Sequence, residues 1–146
     1  MTEYFNLLRY KELLQLRQKS TMSILDEAFL ELLDLESDVD AQIAYNRREV
    51  YCSLIKQYLN NSITPRDFRS KYLEITKQDS QTSNRILKDF QKLGALSLSK
   101  DRNQFYKPID YISTLCMEYT ADQISNSDFY SCVKSEFLKL PKNLYS

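Results

Sequence analysis

The sequence predicts an all-α protein, an antiparallel bundle of four to five helices with an additional N-terminal helical pair. Its 146 residues include one Gly and three Pro, too few for the frequent turns of a β-sandwich or a barrel. Apolar residues recur at helical spacing along most of the chain. A chain of this length buries roughly two thirds of its unfolded surface, so we expect the helices to enclose a substantial core.

The N-terminal segment predicts two helices. Residues 2–19 have Thr2 as a cap and two basic residues in the last turn, the order that the helix dipole favours, and Ser20 and Thr21 are expected to end this helix. A second helix over about 23–35 carries one apolar stripe. The stripe consists of Leu25, Ala28, Phe29, Leu32 and Leu33. The polar stretch 36–42 fits either a loop or the start of a third helix, so we place an acidic helical pair at 1–42 and a bundle domain at 43–143.

Two matching motifs predict the starts of two bundle helices. Each has an apolar residue, a hydroxyl residue as N-cap, an acid three residues after the cap, and a Phe that follows the acid. The first motif is Ile63, Thr64, Asp67 and Phe68, and the second is Ile124, Ser125, Asp128 and Phe129. We expect each Ile to pack on its Phe as a hydrophobic staple, which would fix how the chain enters the helix.

The remaining elements follow from apolar spacing and from helix-breaking residues. Helices are predicted over about 43–60, 65–76 and 83–93, with a turn at 78–84 and Gly94 as a terminator. A further helix is expected to open at Pro108, and the last one to end at Pro141. Between them, residues 95–107 predict a short β-hairpin with Phe105 and Tyr106 on the returning strand, or an irregular loop.

The residue types present exclude several chemistries. The chain has no His, which rules out imidazole bases and ligands, and its single Gly rules out a glycine-rich phosphate loop. Cys52, Cys116 and Cys132 lack metal-ligand spacing and fall at apolar helical positions, which indicates reduced core residues in a reducing compartment. Asp38 and Asp40 are a candidate carboxylate pair, but acids on solvated helices are commoner than acid–base dyads. We therefore expect a non-enzyme with no catalytic residues, metal or cofactor.

The sequence also bears on location. No apolar run is long enough for a signal peptide or a membrane span. Scarce Gly and Pro beside abundant Lys, Ile, Ser and Tyr are typical of A+T-rich genomes. We expect a cytoplasmic protein, or one of the plastid stroma if the gene is organellar.

Charge is unevenly distributed along a chain whose formal net charge is zero. Residues 20–46 hold seven acids and no Lys or Arg, whereas residues 47–107 hold 13 Lys or Arg against six acids. One interpretation is that acidic and basic helices pack as neighbours and neutralise each other. The other is a surface that offers each sign of charge to a different partner. On charge alone, the candidate protein-binding residues are Asp26, Glu27, Glu31 and Asp34.

A set of segments lies along residues of about 50–140: Tyr58–Asn61, Ile63, Asp67–Phe68, Tyr72–Leu73, Ile86–Leu87, Ile109–Tyr111 and Ile124–Leu140. With these segments, this region resembles the colicin D immunity-like family. The resemblance implies a small antiparallel four-helix bundle that acts without catalysis, by docking; immunity members cover the basic active site of a toxin nuclease with an acidic surface. Here the bundle region is basic and the acidic residues precede it, which puts toxin neutralisation in doubt. The function we predict is protein–protein interaction, as an adaptor, small subunit or inhibitor that docks through charged helical faces.

A second resemblance supports an alternative function. Residues 83–87 and 90–96 are similar to the recognition helix and wing of winged helix-turn-helix proteins, which implies a DNA-binding regulator with this motif at 63–107. The basic residues that would meet phosphates are Arg85, Lys88, Lys92 and Arg102, together with Lys100. Ser83 or Asn84 would read base edges. The same pattern also fits a helix with a solvent-exposed basic face followed by a loop, without a role in DNA binding.

Overall fold

The computed structural model describes residues 3–19 and 26–144, and over these ranges the fold is all-α, as predicted. The helices are α1 (Leu7–Lys19), α2 (Glu27–Asn46), α3 (Arg48–Leu59), α4 (Pro65–Leu87), α5 (Phe90–Gly94), α6 (Arg102–Thr120) and α7 (Asn126–Leu138). Two short strands, β1 (Glu3–Tyr4) and β2 (Ser97–Leu98), pair antiparallel. A 3₁₀ turn at Lys142–Leu144 follows the last helix. Among the described residues, no helix has the length and the apolar character needed to span a membrane. The predicted cap Thr2, the break at Ser20 and Thr21, and Leu25 lie outside the described residues.

The apolar side chains form two cores. The bundle core lies among α3, α4, α6 and α7 and is rich in aromatic rings, including Tyr58, Phe68 and Phe129. The N-terminal core joins α1, α2, α5 and the strands around residues such as Leu13 and Leu93. Long α2 connects the two, because it packs on α1, α4 and α6.

Both predicted helix starts are confirmed. The backbone amide of Asp67 donates to Thr64 Oγ1, and that of Asp128 donates to Ser125 Oγ, each at 3.1 Å. Phe68 and Phe129 are fully buried. Their rings stack on tyrosines: Phe68 on Tyr58 at 4.4 Å between centroids, and Phe129 on Tyr119 at 4.6 Å. The two capped starts therefore place two aromatic side chains in the same bundle core.

The predicted segmentation of the N-terminal half was only partly right. The polar stretch 36–42 is neither a loop nor a new helix but part of α2, and the third helix begins at Arg48. The boundary that we placed between residues 42 and 43 falls inside α2, where Ile43 belongs to the N-terminal core and Ala44 to the bundle core. Leu33, predicted to be buried, is 43% exposed.

The predicted turn at 78–84 was wrong, because α4 runs without a break through this segment. Two of its polar residues are buried at an i, i+4 spacing and have tertiary partners. Tyr51 donates to Asp79 Oδ2 at 2.7 Å, and Ser83 donates to Asp40. Since the inward positions are polar, the apolar stripe disappears from the sequence while the helix continues.

Residues 95–107 contain a strand, but its partner is not in that segment. β2 pairs with β1, with Glu3 opposite Leu98 and Tyr4 opposite Ser97. Phe105 and Tyr106, predicted to return as the second strand, lie in α6, which begins at Arg102. Pro108 lies inside this helix and does not open it. The helix predicted over 83–93 is divided in the structure: residues 83–87 belong to α4, and α5 begins at Phe90 and has Gly94 as its last residue. A Cβ at Gly94 would lie 3.0 Å from the Leu7 side chain.

Candidate functional site

The four acidic residues predicted to bind a partner lie in the first half of α2, but they are not equivalent. Asp26 is the N-cap and accepts from the Ala28 amide at 2.9 Å. Glu27 and Asp34 are exposed and form no ion pair with any described residue. Asp26 and Glu27 sit at the N-terminus of α2, where the helix dipole favours negative charge, whereas Asp34 lies beyond the first turn.

Glu31 is already paired within the protein. Arg9 of α1 donates two hydrogen bonds of 2.7 Å to Glu31, one from Nε to Oε1 and one from Nη2 to Oε2. Its Nη1 also donates to Glu12. The hydrogen bond from Arg9 lowers the pKa of Glu31, and the bonds to Glu31 and Glu12 raise the pKa of Arg9. Planar two-point pairing of this kind is the strong form of an ion pair. Glu31 therefore joins α1 to α2 and is not a free docking charge.

Two leucines lie among the unpaired acids. Leu30 is 47% exposed and Leu33 is 43% exposed, and they are three residues apart on the helix, so their side chains are neighbours. Glu27 precedes Leu30 by three residues and Asp34 follows it by four, which places both carboxylates beside the apolar pair. We call Asp26, Glu27, Leu30, Leu33 and Asp34 the α2 docking face. Exposed apolar surface with a polar rim is typical of interaction sites.

Sequence reasoning missed the leucine half of this face. Leu33 was assigned to the buried stripe because it occurs at the same spacing as Leu32. In the structure Leu32 is buried in the N-terminal core, whereas Leu33 is turned by a further 100° and is 43% exposed. Leu33 lies at the edge of the predicted five-residue stripe, and this position was the available signal.

The basic residues predicted to bind DNA also include both exposed side chains and one that is paired within the protein. Arg85, Lys88 and Lys92 are exposed around the corner between α4 and α5. The assignment of Arg102 was wrong: the residue is 8% exposed, and its Nε and Nη2 donate to Asp38 Oδ1 at 3.3 and 3.1 Å while Nη1 donates to the Ser99 carbonyl. Arg102 thus ties α6 to α2 and is not available to a phosphate.

The DNA-reading geometry is also altered. Ser83, predicted to contact a base edge, is 1% exposed and bonded to Asp40, although Asn84 is exposed. Lys100 is exposed, but it lies beyond a strand that pairs with the N-terminus and so is not on a separate hairpin wing. Neutralisation between neighbouring helices therefore accounts for part of the charge pattern, through Arg9 with Glu31 and Arg102 with Asp38.

The cysteines and the carboxylate pair have structural surroundings. All three cysteines are free thiols, two of them buried, and burial raises the pKa of Cys52 to about 11 and that of Cys116 to about 12. A raised pKa disfavours the reactive thiolate. Asp38 and Asp40 do not act as a pair, because Asp38 binds Arg102 and Asp40 binds Ser83.

Comparison of the chain with protein-family models, curated proteins and solved structures found no match. The colicin D immunity-like and winged-helix resemblances therefore stay predictions.

Proposed function

We propose that the protein is a non-catalytic interaction module, an adaptor, small subunit or inhibitor, that binds another protein through the α2 docking face. The observation that carries the proposal is the neighbouring pair Leu30 and Leu33, each more than 40% exposed, within a group of unpaired carboxylates. Covering the exposed half of each leucine contributes about 1 kcal/mol. A soluble monomer gains nothing from this exposure.

The charge of the face defines the chemistry of the partner. Asp26, Glu27 and Asp34 give it negative charge, and Arg9 removes only the charge of Glu31. The complementary surface is apolar at its centre and carries Lys or Arg at its rim. Exposed charges at a rim act mainly on the association rate and are screened by salt, whereas buried leucines act mainly on dissociation.

Affinity capture from the native host tests this proposal with matched variants. The wild-type chain is compared with Leu30→Ser/Leu33→Ser and with the control Met117→Ser/Leu138→Ser, which removes two exposed apolar side chains from α6 and α7. We expect the control to retain a stoichiometric protein partner and the α2 variant to lose it. Recovery of no stoichiometric partner by the wild type, or equal recovery by both variants, contradicts the proposal.

The alternative proposal, a DNA-binding regulator, has support from the three exposed basic residues Arg85, Lys88 and Lys92 at one corner of the fold. It predicts duplex affinity that falls steeply with salt and is lost in Arg85→Ala/Lys88→Ala. A purified protein that leaves duplex DNA unshifted at low salt contradicts it. The burial of Arg102 and Ser83 removes two of the contacts it needs, so docking of a protein on α2 is the better-supported function.

A further inference from the structure

A cavity of about 100 Å³ lies between α2, α3, α4 and α6. Its wall includes three carboxylates, one from each of three helices: Asp40 of α2, Asp79 of α4 and Asp110 of α6. Asp79 is 7% exposed, whereas Asp110 is on the surface, so the cavity opens to solvent beside Asp110. The volume is enough for about three water molecules.

The negative charge around this cavity is only partly compensated. Arg47 lies 3.5 Å from Asp79, measured from Nε to Oδ1, and Tyr51 donates to the same carboxylate. Among the described residues, Asp40 accepts from the Ser83 hydroxyl alone, and the charges that act on it, from Glu36 and Asp110, are both negative. Asp110 forms no ion pair with any described residue. Within the described part of the chain, the ion pair of Arg47 with Asp79 is therefore the one that reaches these three carboxylates.

Two hydroxyl groups in the wall have no partner in the described part of the chain. Ser113 is 7% exposed and makes no hydrogen bond with a described residue, although it lies on α6 one turn after the Ile109 carbonyl, which accepts instead from Tyr72. Tyr106 is also without a hydrogen-bond partner there. Burial, followed by the charges of Asp110, Asp40 and Asp79, raises the pKa of Tyr106, so the three carboxylates act on one point of the wall. Ser113 is thus a mostly buried residue at the cavity wall without a partner among the described residues, whereas Tyr106 is only partly buried.

The arrangement of acceptors fits an ammonium group better than a metal ion. Within the described residues, no three acidic or cysteine side chains converge closely enough to share a metal ion. An alkylammonium group has three N–H donors that diverge and reach oxygen atoms about 2.8 Å away, so it can bridge carboxylates that a single metal ion cannot. The rings of Tyr51 and Tyr106 form part of the cavity wall, and aromatic rings attract cations.

We propose that this cavity binds the end of a primary alkylammonium ion, whose three N–H groups donate to Asp110 at the mouth, to Asp40 inside and to the Ser113 hydroxyl, with Tyr106 beside it in the wall. The cation replaces water and supplies the positive charge that the wall lacks. A free diamine and a lysine side chain of a partner both carry this group.

Titration of the full-length chain with n-butylammonium chloride, at constant ionic strength and followed by amide chemical shifts, tests the proposal. Butanol and tetramethylammonium are the control ligands, since the first lacks the charge and the second lacks the N–H donors. We expect saturable shifts around Tyr106 and Ser113 with n-butylammonium only. Competition by putrescine or by Nα-acetyl-lysine methylamide then distinguishes a free diamine from a lysine side chain.

Asp110→Asn is the critical variant because Asp110 is exposed and its replacement leaves the cores intact. It is expected to weaken n-butylammonium binding about tenfold or more, whereas the matched control Asp122→Asn, at an exposed residue with a positive φ that Asn tolerates, leaves binding unchanged. Absence of saturable binding, equal binding of tetramethylammonium, or equal affinities of the two variants would overturn the proposal. Because the probe is a small amine, the result is independent of whether α2 binds a protein.

Discussion

Replacement of Phe68 by Ala is expected to lower the free energy of unfolding by about 4 kcal/mol. The Phe68 side chain is fully buried in the bundle core, on the first turn of α4. Its ring stacks on Tyr58 and lies 5.4 Å from the ring of Tyr72 and 6.0 Å from that of Phe129. The substitution therefore removes contacts to three helices at once.

Three contributions give this magnitude. Loss of a fully buried Phe side chain costs about 1.5–3 kcal/mol in transfer free energy. The stacked pair with Tyr58 adds about 0.5–1.5 kcal/mol. A residual cavity of about 50 Å³ adds about 1 kcal/mol. The sum of about 3–5.5 kcal/mol agrees with the usual range of about 3–5 kcal/mol for Phe→Ala in a core.

Urea unfolding followed by far-UV circular dichroism measures this change, and Phe90→Ala is the matched control. Phe90 undergoes the same chemical change but is 41% exposed, with Lys11 over its ring. We expect the control to lose less than about 1.5 kcal/mol. If Phe68→Ala cost no more than Phe90→Ala, the assignment of Phe68 as a central residue of the bundle core would be wrong.

Three further predictions use the same unfolding measurement. Thr64→Ala removes the acceptor for the Asp67 amide and is expected to cost about 1 kcal/mol; no change would mean that the cap is dispensable. Arg102→Ala is expected to cost about 3 kcal/mol, against less than about 0.5 for exposed Arg85→Ala, and equal costs would refute a structural role for Arg102. Burial raises the pKa of Asp40 above its unfolded value, so this carboxyl weakens the fold as pH rises through the window between the unfolded pKa, about 4, and the raised folded pKa. Asp40→Asn keeps an acceptor for Ser83 and is expected to be more stable than the wild type at pH 7, with the difference vanishing below pH 4; a less stable variant at pH 7 would contradict this sign.

Local signals in the sequence predicted a large part of the fold. The caps at Thr64 and Ser125 are made by residues three positions apart, so their geometry follows from the chain alone. Apolar spacing likewise predicted a helix over about 43–60, and α3 occupies residues 48–59 of it.

Prediction failed where a helix buries polar residues. Gln42 and Asp79 are buried in α2 and α4, but each has a partner far away in sequence: the Ser99 amide donates to Gln42, and Tyr51 donates to Asp79. The sequence neighbours of Gln42 and Asp79 do not indicate which distant residue each will pair with. A polar segment therefore resembled a turn although its hydrogen bonds are satisfied by other helices. The pairing of β2 with β1 escaped prediction for the same reason, since the strands are more than 90 residues apart.

The candidate sites show the same division. Composition identified the acidic residues of α2 and the basic residues after it. Their exposure and ion pairing in the structure separate the charges that a partner can reach from those already paired within the protein. Glu31 and Arg102 are bound to Arg9 and Asp38, whereas Glu27 and Asp34 stay exposed. No sequence pattern predicted the cavity, because Asp40, Asp79 and Asp110 come from three helices and are far apart along the chain.

By itself the sequence determined that the protein is all-α, where two of its helices begin, and that Phe68 and Phe129 enter the core at those helix starts. These properties depend on contacts within about one helical turn, and such contacts follow from residue order. Only the tertiary structure decided how far α2 and α4 extend, what β2 pairs with, which charges are neutralised, and that three carboxylates share a cavity. Those properties depend on the free energy of interactions between residues that are distant in sequence, and local sequence patterns do not predict such interactions.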